Sequence, residues 1–288
     1  MKHLKFRRYF NIDAYKADVL DILLEDEVCN NLPVSIITES NVKKPADRFL
    51  AAVTDDSGMV VLTALCVKPF NLLLYEPVRR RQSDCVELLA GELKRIGYEP
   101  PGVFAVTKLA RRFAEVYNDV ANNCGGSDDR HTVTMLLMKL DKLAHYKRAP
   151  GVCRVLSPDD LSFIPSWEQA FCIDCNIPAS TLSENEKRIR TRLGKDIHFI
   201  WEDGQPVSQA VYGRDTPNGA VVNWVYTPPE YRGRGYATSV VAELSKSLFD
   251  RGKLFCCLFA DADNPVSCGL YRKLGYHDVC EFEQISFK

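Results

Sequence analysis

Blocks of apolar and polar residues alternate along the first half of the chain. An apolar repeat of three to four residues predicts a helix over 13–28, and two apolar runs around the turn sequence DDSG predict a hairpin. The later blocks predict further strands and helices, with a polar turn, NNCGGSDD, before the last strand. The predicted elements after the first helix are strands Arg48–Thr54, 59–67 and Leu72–Tyr75, helix 84–96, strand 100–107, helix 109–120 and strand 131–140.

The second half repeats this alternation after the basic stretch KLAHYKRAPG, which has no strong period and is interpreted as a linker. Ser157 and Pro158 predict a helix start, and a second helix is expected to be capped near Ser180 or Ser183. The similar order of the two halves indicates a tandem duplication. The predicted elements are strand 153–156, helices 159–171 and 180–193, strands 198–202, 207–213 and 220–226, helix 237–248, strand 254–260, a short helix ending at Gly275, and final strands over 276–287.

The composition is that of a globular protein with two domains. The 288 residues are too many for one average domain, and we expect domain bounds of 1–144 and 151–288. Lys and Arg number 37 against 38 Asp and Glu, so the chain has no overall field for nucleic acid or an anionic membrane surface. The first residues lack the apolar run of an export signal, and no stretch reaches the roughly 18 apolar residues of a membrane span. We therefore expect a cytoplasmic protein without nucleic-acid or membrane partners.

The 11 cysteines are scattered through apolar segments such as ALCV, FCCLF and DVCEF, which favours reduced thiols packed in a core. Cys172 and Cys175 form a C-x-x-C pair, but the sequence offers neither a second pair at zinc spacing nor a neighbouring histidine. We expect no metal, and the role of this pair stays open. Cys256 and Cys257 are interpreted as core residues of a strand rather than as nucleophiles.

One loop of the second half has features that suit an anion. Gly233 and Gly235 lie between the end of a predicted strand and the first turn of a helix. Glycine allows the backbone to approach an anion closely, and the first N–H groups of a helix are unpaired and lie at the positive end of its dipole. A dinucleotide site would require G-x-G-x-x-G, whereas Thr238 stands at the third position, and a P-loop would require Gly-Lys-Ser or Gly-Lys-Thr.

The loop sequence RGRGYA, from Arg232 to Ala237, resembles the acyl-CoA pyrophosphate loop of the GNAT N-acetyltransferases, Q/R-x-x-G-x-G/A. The segment DADNPVSCGLYRKLGY, 261–276, resembles the strand and helix that follow this loop in the superfamily. The resemblance covers roughly 151–288. It implies a GNAT-type α/β (α+β) fold, with a mixed, largely antiparallel sheet flanked by helices, and acetyl-CoA as co-substrate without a metal.

The first half has no glycine at the corresponding junction, NLLLYEPVRRRQSDCVELL. It therefore resembles a degenerate GNAT-like lobe that cannot cradle a pyrophosphate in the same way. The whole chain therefore resembles the two-lobed GNAT proteins, and the resemblance implies that its second lobe is the catalytic one.

The resemblance also implies roles for single residues. Tyr271 would act as the general acid toward the departing thiolate of CoA, since a phenol can protonate a thiolate. Cys268 and Gly269 depart from the polar pair of many relatives, which leaves side-chain contacts from that turn in doubt. The implied cofactor-binding positions are Val225, Tyr226 and Thr227 on the strand, Arg232, Gly233, Arg234, Gly235, Tyr236, Ala237 and Thr238 on the loop and helix, and Asn264 and Ser267 before Tyr271.

The predicted function is transfer of an acetyl group from acetyl-CoA to a primary amine of a small molecule or amino acid, by direct attack in a ternary complex. The alternative is a non-catalytic module that binds acyl-CoA or a partner. The acceptor amine and the oligomeric state stay open. The general base is also unassigned: Glu202, Asp203, Glu230, His198 and Glu168 are candidates, and a water chain is equally compatible.

Overall fold

The computed structural model describes residues 4–38, 48–80, 84–121 and 131–287. Within these ranges no helix is both long enough and apolar enough to cross a membrane. The predicted polar turn NNCGGSDD lies outside the described residues.

The same order of ten elements occurs twice along the chain, which confirms the tandem α/β fold. The order is one strand, two helices, three strands, a helix, a strand, a helix and a strand. The first set is β1 Lys5–Tyr9, α1 Ile12–Leu24, α2 Asn31–Thr38, β2 Arg48–Thr54, β3 Val60–Val67, β4 Leu72–Tyr75, α3 Cys85–Arg95, β5 Gly102–Val106, α4 Thr107–Ala121 and β6 Thr132–Leu140. The second set is β7 Val152–Val155, α5 Ile164–Asp174, α6 Leu182–Arg190, β8 His198–Glu202, β9 Pro206–Asp215, β10 Gly219–Tyr226, α7 Tyr236–Asp250, β11 Phe255–Asp261, α8 Pro265–Lys273 and β12 His277–Ser286.

The chain divides into two compact units whose limits differ from the expected 1–144 and 151–288. The first unit holds Met1–Leu137 together with Cys280–Lys288, and the second holds Met138–Val279. The reason is strand pairing: Phe282 to Ser286 of β12 pair antiparallel with β5, so the end of the chain belongs to the first unit.

In the first unit, β1 to β5 and the end of β12 form a sheet with an apolar layer on each side. Its pairs are antiparallel except for β4 with β5. One layer packs Leu89 of α3 and Phe113 of α4 against the sheet, and the other packs Tyr15 of α1 and Val34 of α2. Because both faces are covered, β3 is buried along nearly its whole length, as its continuous apolar sequence requires.

In the second unit, β7, β8, β9, β10 and β11 are neighbours in that order, and only β10 with β11 is parallel. Ile200 of β8 packs against α5 and α6 through Ile164 and Ile189. Trp201 points to the opposite face, since successive side chains of a strand alternate, and its indole N–H donates to the Pro150 carbonyl at 2.8 Å. Helix α7 packs on β8, β9 and β10.

Several predicted elements are corrected by the structure. The strand β1 and the helix α2 were not predicted, and the helix expected over 13–28 ends at Leu24. A short 3₁₀ helix and α5 replace the single helix 159–171, because the chain leaves helical geometry at Phe163. The cap of α6 is Thr181 rather than Ser180 or Ser183, because Thr181 and Glu184 satisfy each other's backbone N–H groups in a capping box. The final strands are one strand, β12.

Candidate active site

A backbone irregularity marks the end of β10. The pairing of β10 with β9 shifts register between Asn223 and Tyr226, and Trp224 within this bulge has a left-handed φ of 52°. Such a conformation is uncommon for a bulky residue and costs of order 1–3 kcal/mol, so it persists only where its surroundings hold it. The bulge turns peptide groups of this segment out of the regular ladder.

The strands β10 and β11 pair only over a short stretch. Gly219 to Val221 lie beside Phe255 to Cys257, in parallel, and no pairing between the two strands is recorded farther along β10. The three strand positions that the family resemblance implies to bind the cofactor, Val225, Tyr226 and Thr227, therefore follow the point where this pairing ends. Their backbone groups on that side lack a strand partner in the described part of the chain, which suits hydrogen bonding to a ligand.

The glycine loop follows a short 3₁₀ helix, Pro229–Tyr231. Gly233 has a φ of 76° and Gly235 a φ of 83°, both in the left-handed region that favours glycine. A Cβ added at Gly233 would meet no atom within 4 Å, and one at Gly235 would meet only Ala149 Cβ, at 3.8 Å. Backbone conformation rather than crowding therefore requires these glycines, and the space beside Gly233 is open.

Gly235 is the N-cap of α7, so the N–H groups of Tyr236, Ala237 and Thr238 form its first turn. These groups have no acceptor within the helix, and they lie at the positive end of its dipole. A left-handed loop leading into a helix start is a ready site for a phosphate group.

The two arginines of the loop differ in what they contact. The Arg232 guanidinium donates to the Thr227 carbonyl at 2.9 Å and to Asp174 at 2.5 Å, so a carboxylate already neutralises its charge. The Arg234 guanidinium donates to the Glu230 carbonyl at 3.1 Å, and no ion pair of Arg234 is recorded in the described ranges. Both side chains are exposed, and Arg234 has the more available charge for an anion.

Side chains outside the motif hold the loop in place. The Tyr236 hydroxyl donates to Asp203 at 2.5 Å, and this hydrogen bond, with burial, raises the pKa of Tyr236. The Ser239 hydroxyl donates to the Gly235 carbonyl at 3.1 Å and accepts from the Ala149 N–H at 2.8 Å. Sequence reasoning did not find the supporting role of Asp203 or Ser239, since neither belongs to the glycine pattern.

Tyr271 lies in α8 and is 7% exposed. Burial raises the pKa of Tyr271 to about 12, and a hydrogen bond with Ser267 acts in the opposite direction. The Asn264 side chain caps α8 by accepting the Ser267 N–H at 3.0 Å, so its carbonyl oxygen is already engaged. Because its pKa is raised, the phenol of Tyr271 is neutral at physiological pH and carries a proton that it can donate.

The C-terminal end of α5 links the loop to Tyr271. Asp174 forms the ion pair with Arg232, and Cys175, the next residue, is close enough to Tyr271 to contribute to its raised pKa. Arg232 and Tyr271 therefore both lie near the C-terminal end of α5. Cys172 is buried in α5 and Cys175 is exposed, and no group of three or more His, Cys, Asp or Glu that could hold a metal occurs among the described residues.

Most of the candidate general bases are engaged in other contacts. Glu168 is fully buried between two arginines, and Glu202 accepts from Arg154 at 2.6 Å. His198 is 1% exposed, and burial together with the charge of Arg192 lowers its pKa to about 3. Asp203 accepts from the Tyr236 hydroxyl, as described above. Asp203 and Glu230 are both exposed, and of the five candidates only Glu230 has a carboxylate with neither an ion pair nor a hydrogen bond among the described residues.

The corresponding junction of the first unit is built differently. After β4, the carboxylate of Glu76 is buried at 6% exposure and accepts from Arg112 at 3.0 Å and from the Cys85 thiol at 3.4 Å. Cys85 is the first residue of α3, so a buried ion pair of Glu76 with Arg112 lies close to the helix start where the second unit has its glycine loop. The sequence of this junction has no glycine.

Comparison with known proteins places these features in a family. The acetyltransferase (GNAT) family matches residues 164–276. An acetyltransferase of Yersinia pestis (strain Pestoides F) is 32% identical over 127 residues, which span 43% of this chain and 85% of that protein. Another, from Pectobacterium atrosepticum, is 28% identical over 130 residues, 44% of this chain and 87% of that protein.

Solved structures resemble the whole chain. A GCN5-related N-acetyltransferase from Sphaerobacter thermophilus has a TM-score of 0.65 at 16% identity and covers 98% of this chain and 95% of its own. A tandem GNAT protein from the clavulanic acid biosynthesis pathway has a TM-score of 0.59 at 15% identity, covering 99% of each chain. At these identities the likeness shows the fold, which is the tandem GNAT arrangement.

The family match includes the bulge of β10, the glycine loop and Tyr271. Both relatives match this chain over most of their own length, and they are named acetyltransferases. The chain therefore belongs to the acetyltransferase (GNAT) family.

Proposed function

We propose that the second unit is an acyl-CoA-dependent N-acetyltransferase, which transfers the acetyl group of acetyl-CoA to a primary amine of a small molecule or amino acid. The observation that carries this proposal is the pair of left-handed glycines, Gly233 and Gly235, at the start of α7 beside the bulged end of β10. The first unit, with a buried carboxylate at the corresponding junction, is proposed to be a degenerate lobe that binds no CoA.

Each part of the ligand has a matching set of groups. The backbone N–H groups from Gly233 to Thr238 would bind the pyrophosphate, with Arg234 and Arg232 adding positive charge. The backbone of Val225, Tyr226 and Thr227 would bind the pantetheine arm as an added strand would. Asn264 and Ser267, at the start of α8 just after β11, would contact the arm from the other side of the opening, Asn264 through its side-chain amide N–H groups, since its side-chain oxygen accepts the Ser267 N–H.

The chemistry is a direct acyl transfer. The amine nitrogen attacks the thioester carbonyl, a C–N bond forms, and the C–S bond breaks without an acyl-enzyme. A freed N–H of the β10 bulge would stabilise the negative charge that develops on the carbonyl oxygen. Tyr271 would donate its phenolic proton to the departing thiolate, the ammonium nitrogen of the tetrahedral intermediate would lose its proton to water, and a proton from water would restore the phenol of Tyr271.

The first test is thermal unfolding with acetyl-CoA, free CoA and NADH in parallel. A ligand at about 100 times its Kd stabilises the folded state by roughly 2.7 kcal/mol. We expect a clear rise in Tm with both CoA species and none with NADH, and calorimetry should give one CoA bound per chain. No shift with CoA would refute the site.

Turnover is tested by following free thiol release when a panel of primary amines is supplied with acetyl-CoA. Release that depends on the amine supports the proposal. Tight binding of acetyl-CoA with no release for any amine would instead indicate a module that binds acyl-CoA without catalysis.

A further inference from the structure

Three charged side chains of the second unit meet over the indole of Trp224. Glu168 of α5 is fully buried, and each of its carboxylate oxygens accepts from a different guanidinium. Arg188 of α6 donates to one oxygen at 2.6 Å, and Arg192, just after α6, donates to the other. The Arg188 and Arg192 guanidinium carbons lie 4.9 and 5.8 Å from the centre of the Trp224 ring.

This cluster, Glu168 with Arg188 and Arg192, has one more positive than negative charge. No second carboxylate pairs with either arginine in the described part of the chain. Glu184, one turn before Arg188, directs its carboxylate to the Thr181 N–H and hydroxyl instead. The cluster therefore creates a positive electrostatic potential in a partly buried region, where charges interact more strongly than they do in water.

Arg188 is the accessible member of the cluster. Its side chain is 36% exposed, against 9% for Arg192. One of its terminal nitrogens, Nη2, makes both recorded bonds, to Glu168 and to Asn185 at 2.7 Å, and Nε is buried without a partner in the described residues. The other terminal nitrogen, Nη1, makes no hydrogen bond among the described residues, so it is the donor that an incoming anion could use while Glu168 holds the guanidinium in place.

The position of Trp224 brings this charge to the proposed reaction centre. Trp224 is the left-handed residue of the β10 bulge, directly before Val225, the first of the three positions proposed to bind the pantetheine arm. Its indole packs on Phe171 with ring centres 5.0 Å apart, and the two guanidiniums lie over it. An acceptor that enters between α5, α6 and the bulge would therefore meet Arg188.

We propose that the acceptor of this acetyltransferase is an amine that carries a carboxylate, as an amino acid does, and that Arg188 over Trp224 is the residue that recognises the carboxylate. This inference rests on the proposed function and specifies its substrate class. The same positive charge disfavours a bound ammonium, so it favours the free amine that attacks the thioester. A polybasic peptide tail would be repelled.

The test compares acceptors in matched pairs, each an amino acid and its carboxamide, with kcat/KM expressed per free amine because the carboxamide has the lower amine pKa. We expect the native protein to favour the acid roughly 10- to 100-fold in kcat/KM, the range of a hydrogen-bonded charge pair. Arg188→Gln should abolish that preference by lowering kcat/KM for the acid, with the carboxamide little changed. Arg192 still pairs with Glu168 in this variant, so the fold is expected to persist.

Arg190→Gln is the matched control, because Arg190 lies on the same helix, is 58% exposed and pairs with Glu186. It should retain the preference, and the Kd for acetyl-CoA should be the same in both variants. If Arg188→Gln does not fold, Arg188→Lys, which keeps the charge but loses the planar fork, should show an intermediate preference.

Amine acetylation without a preference for the carboxylate, or with a preference that survives in Arg188→Gln, would overturn this inference and leave the proposed function intact. Efficient acetylation of a lysine-rich peptide would overturn it as well. Failure to acetylate any member of the pairs while other primary amines are acetylated would overturn this inference alone. Failure with every primary amine tested, with acetyl-CoA bound, would overturn the proposed function and this inference with it.

Discussion

Two tyrosine hydroxyls in neighbouring positions of the second unit have different environments. The rings of Tyr271 and Tyr276 pack edge to face with centres 5.6 Å apart, and both are buried. The Tyr276 hydroxyl is within 3.2 Å of the Ser245 hydroxyl, on α7, whereas Tyr271 is close to Ser267 and to the end of α5. The two hydroxyls therefore lie in different surroundings, and the proposed mechanism gives the acid role to Tyr271 alone.

We predict that Tyr271→Phe lowers kcat by about 10²-fold or more, the usual contribution of a general acid, and leaves the Kd for acetyl-CoA nearly unchanged. Tyr276→Phe removes the same atom from the same cluster and should change kcat little. Steady-state kinetics and calorimetry on both variants check this. Equal kcat values for the native protein and Tyr271→Phe would remove Tyr271 from the mechanism.

The expected pH dependence of kcat follows from the direction in which the pKa of Tyr271 is shifted. Burial raises the pKa of Tyr271 to about 12, above its ordinary value, so the phenol stays protonated through the neutral and mildly alkaline range. Loss of the acid form should therefore not lower kcat between pH 7 and pH 10.

At the scale of elements, α7 has a left-handed glycine at each end. Gly235 caps its N-terminus with a φ of 83°, and Gly252 follows its C-terminus with a φ of 88°. A Cβ added at Gly252 would meet nothing within 4 Å, and one at Gly235 only an ordinary contact. An alanine would therefore be strained at both positions, but only Gly235 lies at the helix end that is proposed to bind the pyrophosphate.

We predict that Gly235→Ala and Gly252→Ala each destabilise the protein by about 1 kcal/mol, because a left-handed conformation is unfavourable for alanine. Only Gly235→Ala should weaken acetyl-CoA binding, by roughly tenfold or more, since it disturbs the N–H groups that would face the phosphates. Thermal unfolding and calorimetry separate the two effects. Equal CoA affinity in the two variants would contradict the assignment of the loop.

At the scale of the whole molecule, the last residues of the sequence belong to the first unit. Cys280 of β12 and Cys29, between α1 and α2, have sulfur atoms 3.5 Å apart, although 251 positions separate them in the chain. The hydrogen bond from Cys29 lowers the pKa of the Cys280 thiol. This pair therefore reports on where the end of the chain lies.

We predict that diamide, which accepts two electrons and two protons from a pair of thiols, joins Cys29 and Cys280 in a disulfide at mildly alkaline pH. Peptide mapping by mass spectrometry under non-reducing conditions should recover the linked peptides, and Cys29→Ser should abolish them. Absence of the linked peptides in the native protein, with other thiols oxidised, would contradict the placement of β12 in the first unit.

Some secondary-structure elements could be predicted from the sequence with their observed bounds, and others could not. The strands Arg48–Thr54, Leu72–Tyr75 and His198–Glu202 were predicted with their observed bounds, because their side-chain periodicity is local. The strand β1 was missed, since its sequence KFRRY is short and mostly polar, and pairing with β2 stabilises it. The cap of α6 was misplaced because Thr181, Ser180 and Ser183 are equally good caps until Glu184 is positioned.

The candidate site also contains residues that the sequence indicates and residues that only the fold brings together. The glycine loop and Tyr271 stand in contiguous motifs, and their roles stay predictions. The left-handed Trp224 and the cluster of Glu168, Arg188 and Arg192 carry no local signature, because they arise where α5, α6 and β10 come together.

The sequence by itself determined most of the helices and strands, part of their repeated order and the anion-suited loop, because these depend on residues within a few positions of one another. Only the tertiary structure decided that 280–288 complete the first unit, that Glu76 pairs with Arg112 at the junction there, and that an excess positive charge lies over Trp224. Each of these depends on pairing between segments distant in the chain, and local periodicity does not specify which strands or charges meet.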